Sequence, residues 1–144
     1  MRIADILKYK GRTVHTVLPH SSVAEAVRAL RDAGVGALLV CDGHGKICGI
    51  VSERDIVRGL DRHGSQLLAI EVADVMTRNV ATCGPDETLT QAMAQMTRGR
   101  FRHLPVLDKG ALVGLVSIGD LVKHRLREME LETGVLRDLV IAKS

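Results

Sequence analysis

Along the chain the apolar positions fall into short runs whose period switches between that of a helix and that of a strand. Ile3, Ile6 and Leu7 recur at helical spacing and predict a short leading helix. Val14 to Leu18 is brief and β-branched, which predicts a strand. Val23, Ala26, Val27 and Leu30 lie on one face of an amphipathic helix that Gly34 ends. Ala37 to Cys41 and Ile47 to Val51 are apolar runs joined by Asp42-Gly43-His44-Gly45-Lys46, a glycine-rich connection that reads as a hairpin. From Ser52 a second helix begins with Ile56, Val57 and Leu60 on one face, and Asp61 to Ser65 reads as a surface loop. The order is strand, helix, strand, strand, helix.

The same pattern then returns. Val80-Ala81-Thr82-Cys83-Gly84-Pro85 repeats Val14-His15-Thr16-Val17-Leu18-Pro19, with Leu89, Ala92, Met93 and Met96 answering Val23, Ala26, Val27 and Leu30. Gly49-Ile50-Val51-Ser52-Glu53-Arg54-Asp55 is matched by Gly114-Leu115-Val116-Ser117-Ile118-Gly119-Asp120. The leading helix is duplicated too, since Val72-Ala73-Asp74-Val75-Met76 resembles Ile3-Ala4-Asp5-Ile6-Leu7. Two copies are too few for a solenoid and argue for a pseudo-twofold pair. The copies are expected to span residues 1–70 and 71–126. Residues 127–144 form a C-terminal helical tail that continues the apolar stripe of Leu126 with Met129, Leu136, Leu139 and Val140, and Gly134 is its candidate break.

Composition narrows the classes. At 144 residues and 46% hydrophobic, the chain is long enough to bury a core without staples. Its three cysteines (Cys41, Cys48, Cys83) form no CxxC pair and read as buried thiols in a reducing compartment. No apolar run approaches a membrane span, and the start carries no signal peptide, so a cytoplasmic protein is expected, with no membrane partner. The net charge of +3 mixes 17 acidic with 20 basic residues, and only Tyr9 and Phe101 offer rings for base stacking, which weighs against nucleic acid. The six histidines show no metal-binding spacing, and no phosphate loop or nucleophile elbow exists. Neither a metal nor catalysis is expected.

The chemistry left is Ser-x-x-Asp, present as Ser52/Asp55 and Ser117/Asp120. A serine ending a strand and an aspartate three residues later put a hydroxyl and a carboxylate at a helix N-terminus, where free N–H groups favour anions. The ordinary reading is a capping box. The same carboxylate is a double acceptor suited to a ribose diol.

The Pro-headed helix, the strand His103-Leu104-Pro105-Val106-Leu107-Asp108 and the Gly-apolar-Val-Ser-x-x-Asp signature in both copies resemble the cystathionine-β-synthase (CBS) domain, here as a tandem pair over roughly residues 3–126. The tail resembles that of small stand-alone bacterial CBS-pair proteins, or Bateman modules. The resemblance implies an α+β fold of two pseudo-twofold-related β-α-β-β-α repeats packed sheet to sheet, commonly assembled as a homodimer. It also implies a regulatory module, not an enzyme, that binds adenine nucleotides in clefts between the copies and signals to a partner protein. AMP or NAD is the leading ligand, with ATP, ADP and S-adenosylmethionine as further candidates. Carried over position by position, Ser117 and Asp120 would hold a ribose whose base rests near Thr16, Val35, Gly36 and Ala37. Ser52 and Asp55 would do so with Thr82, Phe101 and Arg102. Arg102 and His103 stand where the first copy has Gly36 and Ala37, and they would contact phosphate, Arg102 bidentately. Arg54 would reach phosphate or partly block its pocket. Two rival readings are a ligand-free dimerisation adaptor and a nucleic-acid binder using Arg98, Arg100 and Arg102.

Overall fold

In the computed structural model residues 1–143 are described, the side chains of residues 135–143 excepted. The elements run α1 (Ile3–Lys10), β1 (Thr16–Val17), α2 (Val23–Ala33), β2 (Ala37–Cys41), β3 (Ile47–Ser52), α3 (Glu53–His63), two 3-10 turns (Gly64–Ala69 and Val72–Asp74), α4 (Leu89–Gly99), β4 (His103–Asp108), β5 (Ala111–Ser117) and α5 (Ile118–Lys143). This is the expected α+β class. The chain divides into two compact units, residues 13–81 and residues 1–12 with 82–144.

In the first unit β1 runs parallel to β2, and β2 pairs antiparallel with β3, setting Ala37 opposite Ser52 and Leu38 opposite Val51. The apolar runs read from the sequence supply its core: Ala26 and Leu30 from α2, Leu38 and Val40 from β2, Val51 from β3, and Val72 and Met76 after α3. α2 starts on Ser22, whose hydroxyl accepts from Glu25 N–H, and stops at Gly34, whose positive φ of 65° ends the helix in the left-handed conformation. In the second unit β4 pairs antiparallel with β5, setting His103 opposite Ser117. Ile3, Ile6, Leu7, Leu89, Ala92, Met96, Leu104, Val106, Val116 and Leu121 are buried there.

The leading segment of each copy belongs to the unit built by the other copy. Ile3 N–H donates to Glu87 O at 2.9 Å, and its repeat mate Val72 donates to Ser21 O at 2.8 Å. Ala4 donates to Pro85 O and Ala73 to Pro19 O in the same way. Leu7 lies on Gly114, and Met76 lies on the equivalent Gly49. The duplication is thus a duplication of hydrogen bonds and contacts as well as of letters.

Several expectations are corrected. The second leading segment is a 3-10 turn over Val72–Asp74 rather than an α-helix, and Asp61 to Ser65 lies in helix and 3-10 turn rather than loop. The first strand of the second copy shrinks to a single bridge between Cys83 and Val106. Its cause is one residue: Leu39 N–H donates to His15 O in the first copy, but its counterpart is Pro105, which has no N–H to give. On α3, Val57 and Leu60 are 65% and 55% exposed, so they do not form the buried face; Asp55 and Gly59 do, with Leu67 packed over Gly59. α5 passes through Gly134 without a break. Leu126 and Met129 of the expected stripe are exposed, and Leu136, Leu139 and Val140 lie outside the described side chains. All three cysteines are free thiols; burial pushes the Cys83 thiol up to about 12, reinforced by the charge of Glu87, while Cys48 is only half-buried.

Candidate functional site

Both Ser-x-x-Asp motifs form capping interactions at the starts of their helices. Ser52 caps α3: its hydroxyl accepts from Asp55 N–H at 3.4 Å, and Asp55 Oδ2 accepts from Ser52 N–H at 2.8 Å and from the Ser52 hydroxyl at 3.0 Å. At the start of α5, Asp120 N–H donates to Ser117 Oγ at 3.1 Å and Ser117 N–H donates to Asp120 Oδ2 at 2.8 Å. The equivalence extends to the residue after each serine, because Glu53 N–H donates to Gly36 O and Ile118 N–H to Arg102 O. The capping reading of these serines and aspartates is therefore correct at the level of local structure.

What differs is what else each carboxylate holds. Asp55 is 7% exposed, and its second oxygen, Oδ1, accepts from the Thr77 hydroxyl at 3.0 Å. Both of its oxygens are engaged inside the unit. Asp120 keeps a quarter of its side chain exposed and takes its further partner on the oxygen already used by the cap, Oδ2, from Lys10 Nζ at 2.5 Å. Lys10 also donates to Leu115 O at 2.7 Å, which fixes the ammonium between the end of β5 and the start of α5. The bonds from Ser117 N–H and Lys10 Nζ thus converge on the one oxygen, Oδ2. Burial pushes the Asp120 carboxyl up, but the Lys10 hydrogen bond, the Ser117 N–H and the Lys10 charge outweigh it and hold it below the ordinary 3.8.

The remaining predicted residues divide between the units. In the unit of residues 13–81, buried Ala37 faces Ser52 across the ladder, Val35 and Gly36 are half-buried at the entry to β2, Thr16 is exposed on β1, and Arg54 is exposed in the first turn of α3. Beside Asp55 an open recess of about 190 Å³ is lined by Arg58, Arg62 and His63 of α3 and by residues 74–77. In the other unit His103 faces Ser117 across the ladder, Arg102 is exposed one residue before it, and Phe101 lies against Gly99 at the end of α4. Thr82 is exposed, and its carbonyl accepts from Gln95 Nε2. Arg98 lies in the last turn of α4, and Arg100 caps that helix with a positive φ of 56°. At the β4–β5 end of this unit Ser117 and Lys10 thus bond the Asp120 carboxylate, with His103 opposite Ser117 in the ladder and Arg102 one residue before it.

Lys10 and Thr77 are the site residues that the sequence did not reveal. A signal was present: Lys10 ends one leading segment and Thr77 follows the other, and each delivers its polar group to the aspartate of the other copy's motif. The two are displaced by two positions in the repeat because one leading segment is α-helical and the other is a 3-10 turn. Among the described residues no group of three or more His, Cys, Asp or Glu stands close enough to hold a metal, and no helix is long and apolar enough to cross a membrane.

Comparison with known proteins places this geometry in a family. The family model described as the CBS domain matches twice, over residues 3–62 and 72–127. A crystal structure of a CBS-domain containing protein from Agrobacterium tumefaciens is 44% identical, covers 86% of this chain and 92% of its own, and superposes with a TM-score of 0.84. A putative signal-transduction protein with CBS domains from Burkholderia ambifaria is 43% identical, covers 88% and 95%, and has a TM-score of 0.81. The CBS domain pair of protein MJ0100, solved in complex with 5′-methylthioadenosine and S-adenosyl-L-methionine, is 26% identical, covers 89% and 98%, and has a TM-score of 0.79. A mitochondrial CBS domain-containing protein of Arabidopsis thaliana is 32% identical over 88% of this chain, and the match spans 65% of that relative's length. The chain belongs to the CBS domain family, as a tandem pair of CBS domains.

Proposed function

We propose that this protein is a regulatory module that binds an adenine nucleotide, with the ribose held at the Ser117–Asp120 edge, and that occupancy shifts the arrangement presented to a partner protein. The observation that carries the reading is the state of Asp120. Its charge is secured by Lys10 and by the cap, and one carboxylate oxygen is left to accept from a ligand hydroxyl. Arg102 and His103 stand at the start of β4, opposite Ser117, where the first copy offers only Gly36 and Ala37, which favours a phosphate-bearing adenosine such as AMP, with NAD, ADP and ATP as close relatives. Asp55, whose oxygens are both occupied, serves first as a structural cap. The ligands named for MJ0100 carry the same adenosine group, which supports the chemistry without fixing the substituent. A switch of this kind needs only that the ligand bind one arrangement better than another.

Thermal unfolding of the nucleotide-stripped protein against AMP, ADP, ATP and NAD tests the reading. At a hundredfold excess over its dissociation constant a ligand adds about 2.7 kcal/mol of stability, a shift of several degrees. Asp120→Asn is expected to abolish the shift. Asp55→Asn is expected to keep it while lowering the unliganded melting temperature, because it weakens the Thr77 and Ser52 bonds. No shift with any nucleotide would replace the sensor by a ligand-free dimerisation adaptor.

A further inference from the structure

We infer that Lys10 sets which adenosine this protein selects, favouring an anionic group at the ribose 5′ position over a neutral or cationic one. The inference rests on the reading of the Ser117–Asp120 edge as a ribose site. A lone carboxylate there would accept from a ribose diol, but its charge would repel a 5′-phosphate and attract a 5′-sulfonium. Lys10 Nζ, 2.5 Å from Asp120 Oδ2, cancels that charge and leaves Oδ1 to accept. The backbone that carries Lys10 is fixed by the fold. Lys10 is the last residue of α1, which is anchored by Ile3, Ile6 and Leu7 in the core of the unit, and the ammonium is held from a second side by Leu115 O at 2.7 Å. With the Lys10–Asp120 pair neutral, the exposed Arg102 guanidinium adds positive charge to the same edge.

The first copy has no such device. Its Asp55 is met by the uncharged Thr77 hydroxyl; its nearby cations, Arg58 and Arg62, line the recess along α3, and Gly36 and Ala37 bring none where Arg102 and His103 stand. The two motifs, alike in the sequence, are therefore electrostatically unlike, and the difference arises from a residue far from either motif. Lys10 acts here as a positioning and charge-setting residue.

Three ligands that share adenosine and differ only in their 5′ charge isolate this effect: AMP (anionic), 5′-methylthioadenosine (neutral) and S-adenosylmethionine (sulfonium). Their affinities for the full chain are measured by titration calorimetry at fixed low ionic strength, for the wild type and for Lys10→Met, Lys10→Arg and Asp120→Asn. The wild type is expected to bind AMP tightest and S-adenosylmethionine weakest. Lys10→Met should weaken AMP by about tenfold and strengthen S-adenosylmethionine, the size expected for one unit charge a few ångströms away in a partly exposed site. Lys10→Arg should keep the wild-type order, and Asp120→Asn should weaken all three. If the three ligands bind, Asp120→Asn weakens them and Lys10→Met leaves their order unchanged, the role of Lys10 is overturned while the ribose site stands. If none of the three binds the wild type, the ribose reading falls and the inference falls with it.

Discussion

His124 lies one turn beyond Asp120 on α5, 4% exposed, with its ring 5.4 Å from that of Tyr9 and its Nδ1 without a partner among the described residues. Burial lowers its pKa below the ordinary 6.5; the charges of Arg127 and Lys123 lower it further, and those of Asp120 and Glu128 only partly offset them. As pH falls from about 6.5 the unfolded chain is protonated while folded His124 stays neutral, so stability is lost between the ordinary value and the lowered one. His124→Phe retains a ring against Tyr9 and removes both the titration and the unsatisfied nitrogen. We expect its unfolding free energy to fall less between pH 7 and pH 5 than that of the wild type in denaturant titrations, and parallel pH profiles would refute this. Asp120 titrates lower, and its stabilising charge is lost only below the ordinary 3.8, outside that window.

At the scale of elements, the two glycines under the leading segments make the clearest test of the duplicated architecture. A Cβ on Gly49 would stand 2.6 Å from the backbone oxygen of Thr77 and 2.8 Å from Met76 Sδ. One on Gly114 would meet Leu7 Cδ2, also at 2.6 Å, but that atom ends a flexible side chain. Gly49→Ala is therefore expected to cost about 1–3 kcal/mol and to loosen the Thr77 bond to Asp55, and Gly114→Ala to cost less. Equal losses in calorimetry would mean that the backbone contact yields as readily as the leucine. The elements themselves were largely legible, because helix and strand periodicity, Gly34 and the Ser-x-x-Asp starts are local signals. What escaped was non-local. Val57 and Leu60 have helical spacing yet face outward, since Leu67 claims the side of α3 at Gly59. The strand lost before Pro105 depends on a partner's missing N–H. Lys10 was invisible as a site residue because its target, Asp120, lies 110 positions away.

For the whole molecule, the repeat predicts which surface is left over. Val57 and Val122 occupy equivalent places on α3 and α5, and both are exposed, at 65% and 42%, with Leu60 and Leu126 beside them at 55% and 54%. The duplicated fold thus exposes the same apolar position in each unit, while Ala26 and Ala92 at another equivalent pair are fully buried. We propose that a second copy of the chain covers them. Most soluble oligomers are closed homo-oligomers, and the duplication supplies a matching apolar position on each unit. Sedimentation of the wild type is expected to give twice the chain mass, and Val57→Asp with Val122→Asp to give a monomer that keeps its helical circular dichroism, because neither residue belongs to the buried core. Nucleotide binding at the Asp120 edge should survive in that monomer if the ribose site is complete within one chain. A double variant that stays dimeric would assign the interface to another surface, and a wild type that sediments as a monomer would leave Val57 and Val122 for a different protein partner.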